Sequence, residues 1–85
     1  MVLVWDPHED ARAMGIAVGR TVGPAVTRSA VRRRFRESYR HLRYALRPVH
    51  MLFIARPRSA GVSLREIAQE MEVLCRDADL WLGAD

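Results

Sequence analysis

The sequence predicts an α+β fold, a small sheet carrying two main helices. Three observations predict it: short apolar strand-like stretches at residues 2–5, 14–18 and 51–55; a long amphipathic stretch at 24–45; and a capped stretch of helical periodicity that begins at Ser63. With 85 residues, no internal repeat, no low-complexity tract and no dividing linker, residues 1–85 are expected to form one domain around one modest core.

The first stretch, Val2, Leu3, Val4 and Trp5, reads as a strand closed by Asp6, Pro7, His8, Glu9 and Asp10, whose proline and acids do not continue a ladder. Met14, Ile16 and Val18 alternate with Gly15, Ala17 and Gly19, the period-two pattern of a second strand with one bulky and one small face. The small face admits either a packed helix or the close approach of another backbone or ligand. The two strands are placed to pair as a hairpin. Gly23 and Pro24 then open a helix, with proline at the first helical position, and Pro48 ends it. On that helix Val31, Phe35, Tyr39, Leu42 and Leu46 line one apolar stripe. The run Met51, Leu52, Phe53, Ile54, Ala55 reads as a third strand, buried on both faces or central in the sheet. After a loop at 56–61, Ser63 and Glu66 have capping-box spacing, with Val62 and Ile67 placed as a hydrophobic staple. The helix that follows presents Leu64, Ile67, Ala68, Met71, Leu74, Cys75 and Ala78 to the core and an acidic face to solvent.

Charge is unevenly distributed along the chain. Residues 20–58 hold eleven arginines and one glutamate, a local charge of +10, while the remainder holds three arginines and nine acids, −6; there is no lysine. At four-residue spacing Arg28, Arg32, Arg36 and Arg40 fall on one side of the first helix, with Arg43 and Arg47 beyond. Such a stripe repels itself unless a polyanion neutralises it. Guanidinium groups grip phosphate oxygens in pairs and stack on bases, so nucleic acid, RNA or DNA, is the partner this composition points to. The loop at 19–23, running into a helix amino terminus, suits an anion but lacks the lysine and spacing of a nucleotide-binding loop.

Other features carry less. Cys75 is the only cysteine, which excludes an internal disulfide and a thiolate zinc cluster, and fits a small core residue in a reducing, cytoplasmic setting. The apolar start is too short and too soon charged to be a signal peptide or membrane span. Phe35 and Tyr39 have core spacing, so they read as structural before they read as base-stacking groups. His8, His41 and His50 lack metal-ligand spacing, and no nucleophile or carboxylate pair is placed for chemistry by the chain itself; the carboxylates of Glu9 and Asp10 read as solubilising.

The run Gly15-Ile16-Ala17-Val18-Gly19-Arg20, then Val22-Gly23-Pro24-Ala25-Val26-Thr27-Arg28, then Val31-Arg32-Arg33 with Arg36-Glu37 and Tyr39-Arg40, resembles the signature of the bacterial ribonuclease P protein subunit. Phe53-Ile54-Ala55-Arg56-Pro57 resembles that family's third-strand ending, and the match is collinear over roughly residues 2–80. The resemblance implies helices on one sheet face and a left-handed strand–helix–strand crossover, where the default hand is right. It implies a protein that binds a catalytic RNA and, with it, removes the 5′ leader of precursor tRNA. The chemistry would be phosphodiester hydrolysis by Mg²⁺ held in the RNA. The RNA-binding residues so implied, together with the charge pattern, are Arg20, Arg28, Arg32, Arg33, Arg36, Arg40, Arg43, Arg47 and Arg56; Arg58 reads equally as a loop solubiliser.

The sequence departs from the family pattern twice. Where the family has Arg-Asn-Arg, this chain has Arg28-Ser29-Ala30. The family also starts with a helix and loop, bearing aromatic residues that contact the leader, before the strand placed here at residue 2. Without them one sheet face is expected to be uncovered, leading to self-association or to folding of Leu80, Trp81 and Leu82 across it, and to weak preference for leader-bearing tRNA. The other readings are a ribosomal or other structural RNA-binding protein on the same scaffold, and a DNA-binding regulator, which the absence of a short helix before a recognition helix disfavours. A protein-only nuclease lacks its metal-binding carboxylates.

Overall fold

Three five-residue strands build the sheet: β1 (Val2–Asp6), β2 (Ala13–Ala17) and β3 (His50–Ile54). The structure is a computed structural model that describes residues 1–7 and 11–83; His8, Glu9 and Asp10, including the two carboxylates weighed above, lie outside the described residues, as do the last two. The strand order is β1-β3-β2. The expected hairpin therefore does not form. β1 pairs antiparallel with β3, Leu3 opposite Phe53, and β2 pairs parallel with β3, Ile16 opposite Phe53. Period-two alternation assigns faces but not partners, and the most continuously apolar strand takes the centre, where both of its edges are paired. The parallel β2–β3 pair needs a crossover, which the first helix supplies. The ladder continues past β3, where the Ala55 N–H donates to the Ala17 carbonyl at 2.9 Å.

One sheet face carries the core. Met51 and Phe53 are buried there, with Leu3, Met14 and Ile16 packed beside them. The other face is open: Val4 is 49% exposed and Leu52 38%. β3 is thus central, as expected, but buried on one face only. A Cβ on Gly15 would stand 3.3 Å from the Leu52 side chain, so the missing side chain lets Leu52 lie across toward β2.

The first helix, α1, spans Ala25–Leu42, with Pro24 at its amino-terminal cap and not in its first turn. Gly23 ahead of it has φ +151°, a conformation that side-chain-bearing residues rarely adopt, and a Cβ there would meet Thr27 at 3.1 Å. The helix tightens into a 3-10 turn at Arg43–Ala45, so it stops earlier than the sequence stripe suggests. Val31, Phe35, Tyr39 and Leu46 are buried as expected. Ser38 is fully buried too. Its hydroxyl donates to the Arg34 carbonyl at 2.8 Å, with the Leu64 carbonyl at 3.4 Å as a second acceptor, which satisfies it at the helix–helix contact.

The second helix, α2, spans Leu64–Asp77, and Ser63 Oγ accepts from the Glu66 N–H at 3.2 Å. The return contact differs from the expected box: the Ser63 hydroxyl, not its backbone amide, donates to Glu66 Oε1 at 3.1 Å. α2 ends in a Schellman motif, with the Leu80 N–H donating to the Cys75 carbonyl and the Asp79 N–H to the Arg76 carbonyl. Asp79 takes φ 60° where glycine is the usual occupant. The apolar tail belongs to this corner and not to the open sheet face. Leu80 is buried, Trp81 bridges to Leu46 beneath the Arg76 guanidinium, and the Leu82 N–H donates to the Ala45 carbonyl at 2.7 Å. Leu80 is held here by the Schellman bond and by core packing, so the expected folding of the tail over the open face does not occur.

Burial pushes the Cys75 thiol up to about 11, from an ordinary value of 9.0, and pushes the Tyr39 hydroxyl in the same direction. Both groups hold their proton more tightly in the folded chain than in the unfolded one. The stability this confers is present below their ordinary values and lost as pH rises through the folded ones. Denaturation midpoints are expected to hold steady up to pH 9 and to fall between pH 9 and 11, by on the order of 2 kcal/mol in unfolding free energy. Equal midpoints across that window would show that the thiol ionises freely.

Candidate nucleic-acid interface

A helix turns once in 3.6 residues, so each four-residue step advances about 40° around the axis. The four arginines of α1 consequently wind from the edge of the core outward. Arg28 and Arg32 are half-buried beside the apolar stripe, whereas Arg36 and Arg40 are exposed, joined on the outer side by Arg33. The cationic surface is a diagonal band across one side of α1. Arg28 Nε is buried with no hydrogen-bond partner among the described residues.

Two further arginines stand at turns that pack against α1. Arg20 opens a 3-10 turn (Arg20–Val22) that packs against α1 and against a second 3-10 turn (Pro57–Gly61), and Arg56 immediately precedes the latter. The Arg56 N–H donates to the buried Ser59 Oγ at 3.2 Å, which fixes this loop beside the helix start. α1 itself has no side-chain cap and no acid in its first turn. Its positive dipole end and unpaired amides therefore add to the charge of Arg20, Arg28 and Arg56. Among the described residues none of Arg20, Arg28, Arg32, Arg33, Arg36 and Arg56 is paired with an acid.

The other expected residues are engaged locally. Arg40 makes a two-pronged contact with Glu37, Nε to Oε2 at 3.2 Å and Nη2 to Oε1 at 2.5 Å, which holds the Glu37 carboxyl below its usual range; His41 Nε2 lies 3.3 Å from the same carboxylate. Both partners are exposed, so the contact is easily exchanged for a phosphate. Arg47 leaves the band, its Nε donating to the Asp79 carbonyl at 2.9 Å and tying the end of α2 to the end of α1. Arg43 stacks on Tyr44, its guanidinium carbon 4.7 Å from the ring centroid. Arg58 pairs with Glu70 on α2, away from the band. Arg34 faces the other flank of α1 and donates to the Ala60 carbonyl at 3.4 Å, a packing role.

Phe35 and Tyr39 are core residues, which removes them as stacking groups. Tyr44, which sequence reasoning passed over, is the exposed aromatic of this surface. The signal was available: carried on around the α1 wheel, position 44 falls opposite Val31 and Phe35. Arg12 was also missed, and no sequence signal marks it, because it stands alone in an acidic stretch. It reaches the carboxy-terminal end of α1, where its Nε donates to the Arg43 carbonyl at 3.1 Å and its guanidinium lies 5.3 Å from the Tyr44 centroid. Among the described residues no group of three or more His, Cys, Asp or Glu side chains is placed to hold a metal ion, and no helix is long and apolar enough to cross a membrane.

A band of arginines on one helix, of which only Arg40 is paired with an acid among the described residues, continued by a helix amino terminus, is suited to the phosphates of a folded nucleic acid. A family model described as Ribonuclease P matches residues 1–79. The ribonuclease P protein component of Pediococcus pentosaceus is 36% identical over 83 residues, a match covering 95% of this chain and 70% of that protein. That of Thermus aquaticus is 37% identical over 76 residues, covering 89% of this chain but 45% of the relative. Among solved structures, the RNase P protein of Staphylococcus aureus superposes with a TM-score of 0.76 at 22% identity, covering 93% of this chain and 72% of that one. The RNase P protein of Thermotoga maritima does so at 0.69 and 20% identity, covering 87% and 73%.

Proposed function

Because this chain belongs to the ribonuclease P protein family, we propose that it is the RNA-binding subunit of ribonuclease P, docking on the catalytic RNA and assisting removal of the 5′ leader from precursor tRNA. The observation that carries this reading is the set of six arginines, Arg20, Arg28, Arg32, Arg33, Arg36 and Arg56, none of which is paired with an acid among the described residues. Their role is to neutralise phosphates where catalytic RNA and substrate crowd together, which lowers the repulsion between the two RNAs. Mg²⁺ held by RNA phosphates supplies the charge stabilisation for hydrolysis, and this chain has no described cluster that would hold it instead. A cytoplasmic location follows from such partners.

Precursor-tRNA cleavage by the catalytic RNA, measured with and without this protein over a Mg²⁺ titration, tests the proposal. Added protein is expected to lower the Mg²⁺ concentration needed for leader removal. No stimulation at any Mg²⁺ concentration would overturn it.

The departure at Ser29 and Ala30 has a structural setting. Both line a shallow hollow with Ala25, Val26 and Arg33 on the outer side of α1. Ser29→Asn with Ala30→Arg would project into that hollow beside Arg33, and is expected to tighten binding to the catalytic RNA, each residue adding roughly 1 kcal/mol. Filter-binding titration reads this, and unchanged or weaker affinity would mean that the hollow itself is the contact.

A further inference from the structure

α1 ends with an arrangement that phosphate binding does not require. Tyr44 sits in the 3-10 turn after the helix and is 70% exposed, while Tyr39 and Phe35, five and nine residues earlier, are buried. Two guanidiniums lie against its ring, Arg43 at 4.7 Å and Arg12 at 5.3 Å. Arg12 arrives from the chain before β2 and is anchored by the backbone: its Nε donates to the Arg43 carbonyl at 3.1 Å and its Nη2 to the Leu46 carbonyl at 3.5 Å. The Arg43 carbonyl also accepts the Leu46 N–H at 3.3 Å, so Arg12 is bonded into the turn that closes the helix and lies near the negative end of its dipole. Capping of this kind does not need an aromatic ring. The consequence is an amphipathic ring with two cations against it that is still largely open to solvent. A groove of about 340 Å³ leads back from Arg43 past Tyr39 and the Arg40–Glu37 pair to Arg33 and Arg36, on the cationic band.

We propose that Tyr44, flanked by Arg12 and Arg43, is a stacking platform for an unpaired nucleobase, so that a single-stranded RNA segment crosses the carboxy-terminal end of α1 with its phosphates along the groove. Unpaired bases splay onto aromatic rings and guanidinium planes, whereas bases inside a duplex are already stacked on one another. The platform reads the base face and not its edge, so it is indifferent to sequence. Arg12 acts as a positioning residue, holding the ring's surroundings by its bonds to the helix end. The proposal rests on the reading that the arginine band binds RNA.

The test uses a short single-stranded RNA carrying 2-aminopurine and an RNA duplex of equal length. The parent chain is expected to quench 2-aminopurine fluorescence on binding. Tyr44→Ala is expected to abolish the quenching and weaken single-strand binding roughly 5- to 30-fold, leaving duplex binding and the salt slope unchanged. Tyr44→Phe is expected to retain affinity to within about twofold, because stacking needs the ring and not the hydroxyl. Circular dichroism confirms that both variants fold. Parent-like binding and quenching by Tyr44→Ala, equal losses on single strand and duplex, or a loss in Tyr44→Phe matching that in Tyr44→Ala would each overturn the platform. Arg32→Ala with Arg36→Ala separates this from the wider reading: if it still weakens both RNAs, the band binds RNA and only the platform is wrong. A parent chain that binds neither RNA overturns both.

Discussion

Replacing Arg32 and Arg36 together with alanine is expected to weaken binding to the catalytic RNA roughly 10- to 100-fold and to flatten its salt dependence while leaving the fold intact. Neither side chain has a protein hydrogen-bond or acidic partner among the described residues, and both lie off the stripe formed by Val31, Phe35 and Tyr39. If the parent band neutralises four to six phosphates, its log–log salt slope is roughly −3 to −5, and losing two contacts reduces it by roughly 1.5. Affinity measured across a salt series, with a thermal melt of each variant, reads both quantities. A parent slope near zero would remove phosphate docking altogether. An unfolded double variant would instead show that the half-buried Arg32 stem is part of the packing.

Phe53→Ala is expected to be the most destabilising single change in the molecule, by about 3–5 kcal/mol. Phe53 is fully buried in the central strand and faces Leu3 on one side and Ile16 on the other. A domain of this size has a total stability near the low end of the 5–15 kcal/mol range, so most of the chain should unfold at 37 °C. Leu52→Ala, one residue away on the open face, is the internal control and is expected to cost less than about 1 kcal/mol. Chemical denaturation of the pair decides whether the two faces of β3 differ as described. Equal losses would mean that the open face is covered in solution.

The elements were legible because each has a local cause. The alternation of Met14, Gly15, Ile16 and Ala17 marks β2, the Ser63–Glu66 spacing marks the start of α2, and the apolar run at 51–55 marks β3 as central. Strand pairing was not legible, since alternation is the same whether β1 meets β2 or β3. The arginine band was read as a straight stripe because four-residue spacing looks like a repeat, while the true helical period turns it toward solvent along its length. The fate of single arginines depends on distant backbone. Arg47 is drawn off by the Asp79 carbonyl and Arg34 by the Ala60 carbonyl, and both acceptors come from segments far along the chain. Arg12 joins the site for the same reason, across 31 positions. Tyr44 is legible from the helical period, which carries it to the side opposite Val31 and Phe35.

The central position of β3 also governs how the chain acquires its shape. β1 and β2 are made first, yet each finds its partner only in residues 50–54, after α1 has been synthesised. Sheet formation is therefore expected to be a late, long-range event, with refolding limited by closing loops of tens of residues and not by helix formation. During synthesis the early strands wait unpaired beside a nascent helix whose positive charge opposes collapse onto other copies of itself. The rate-limiting contacts should gather where the waiting ends, around Phe53, Leu3 and Ile16, so conservative substitutions there slow refolding, whereas those in the Leu80 corner chiefly speed unfolding.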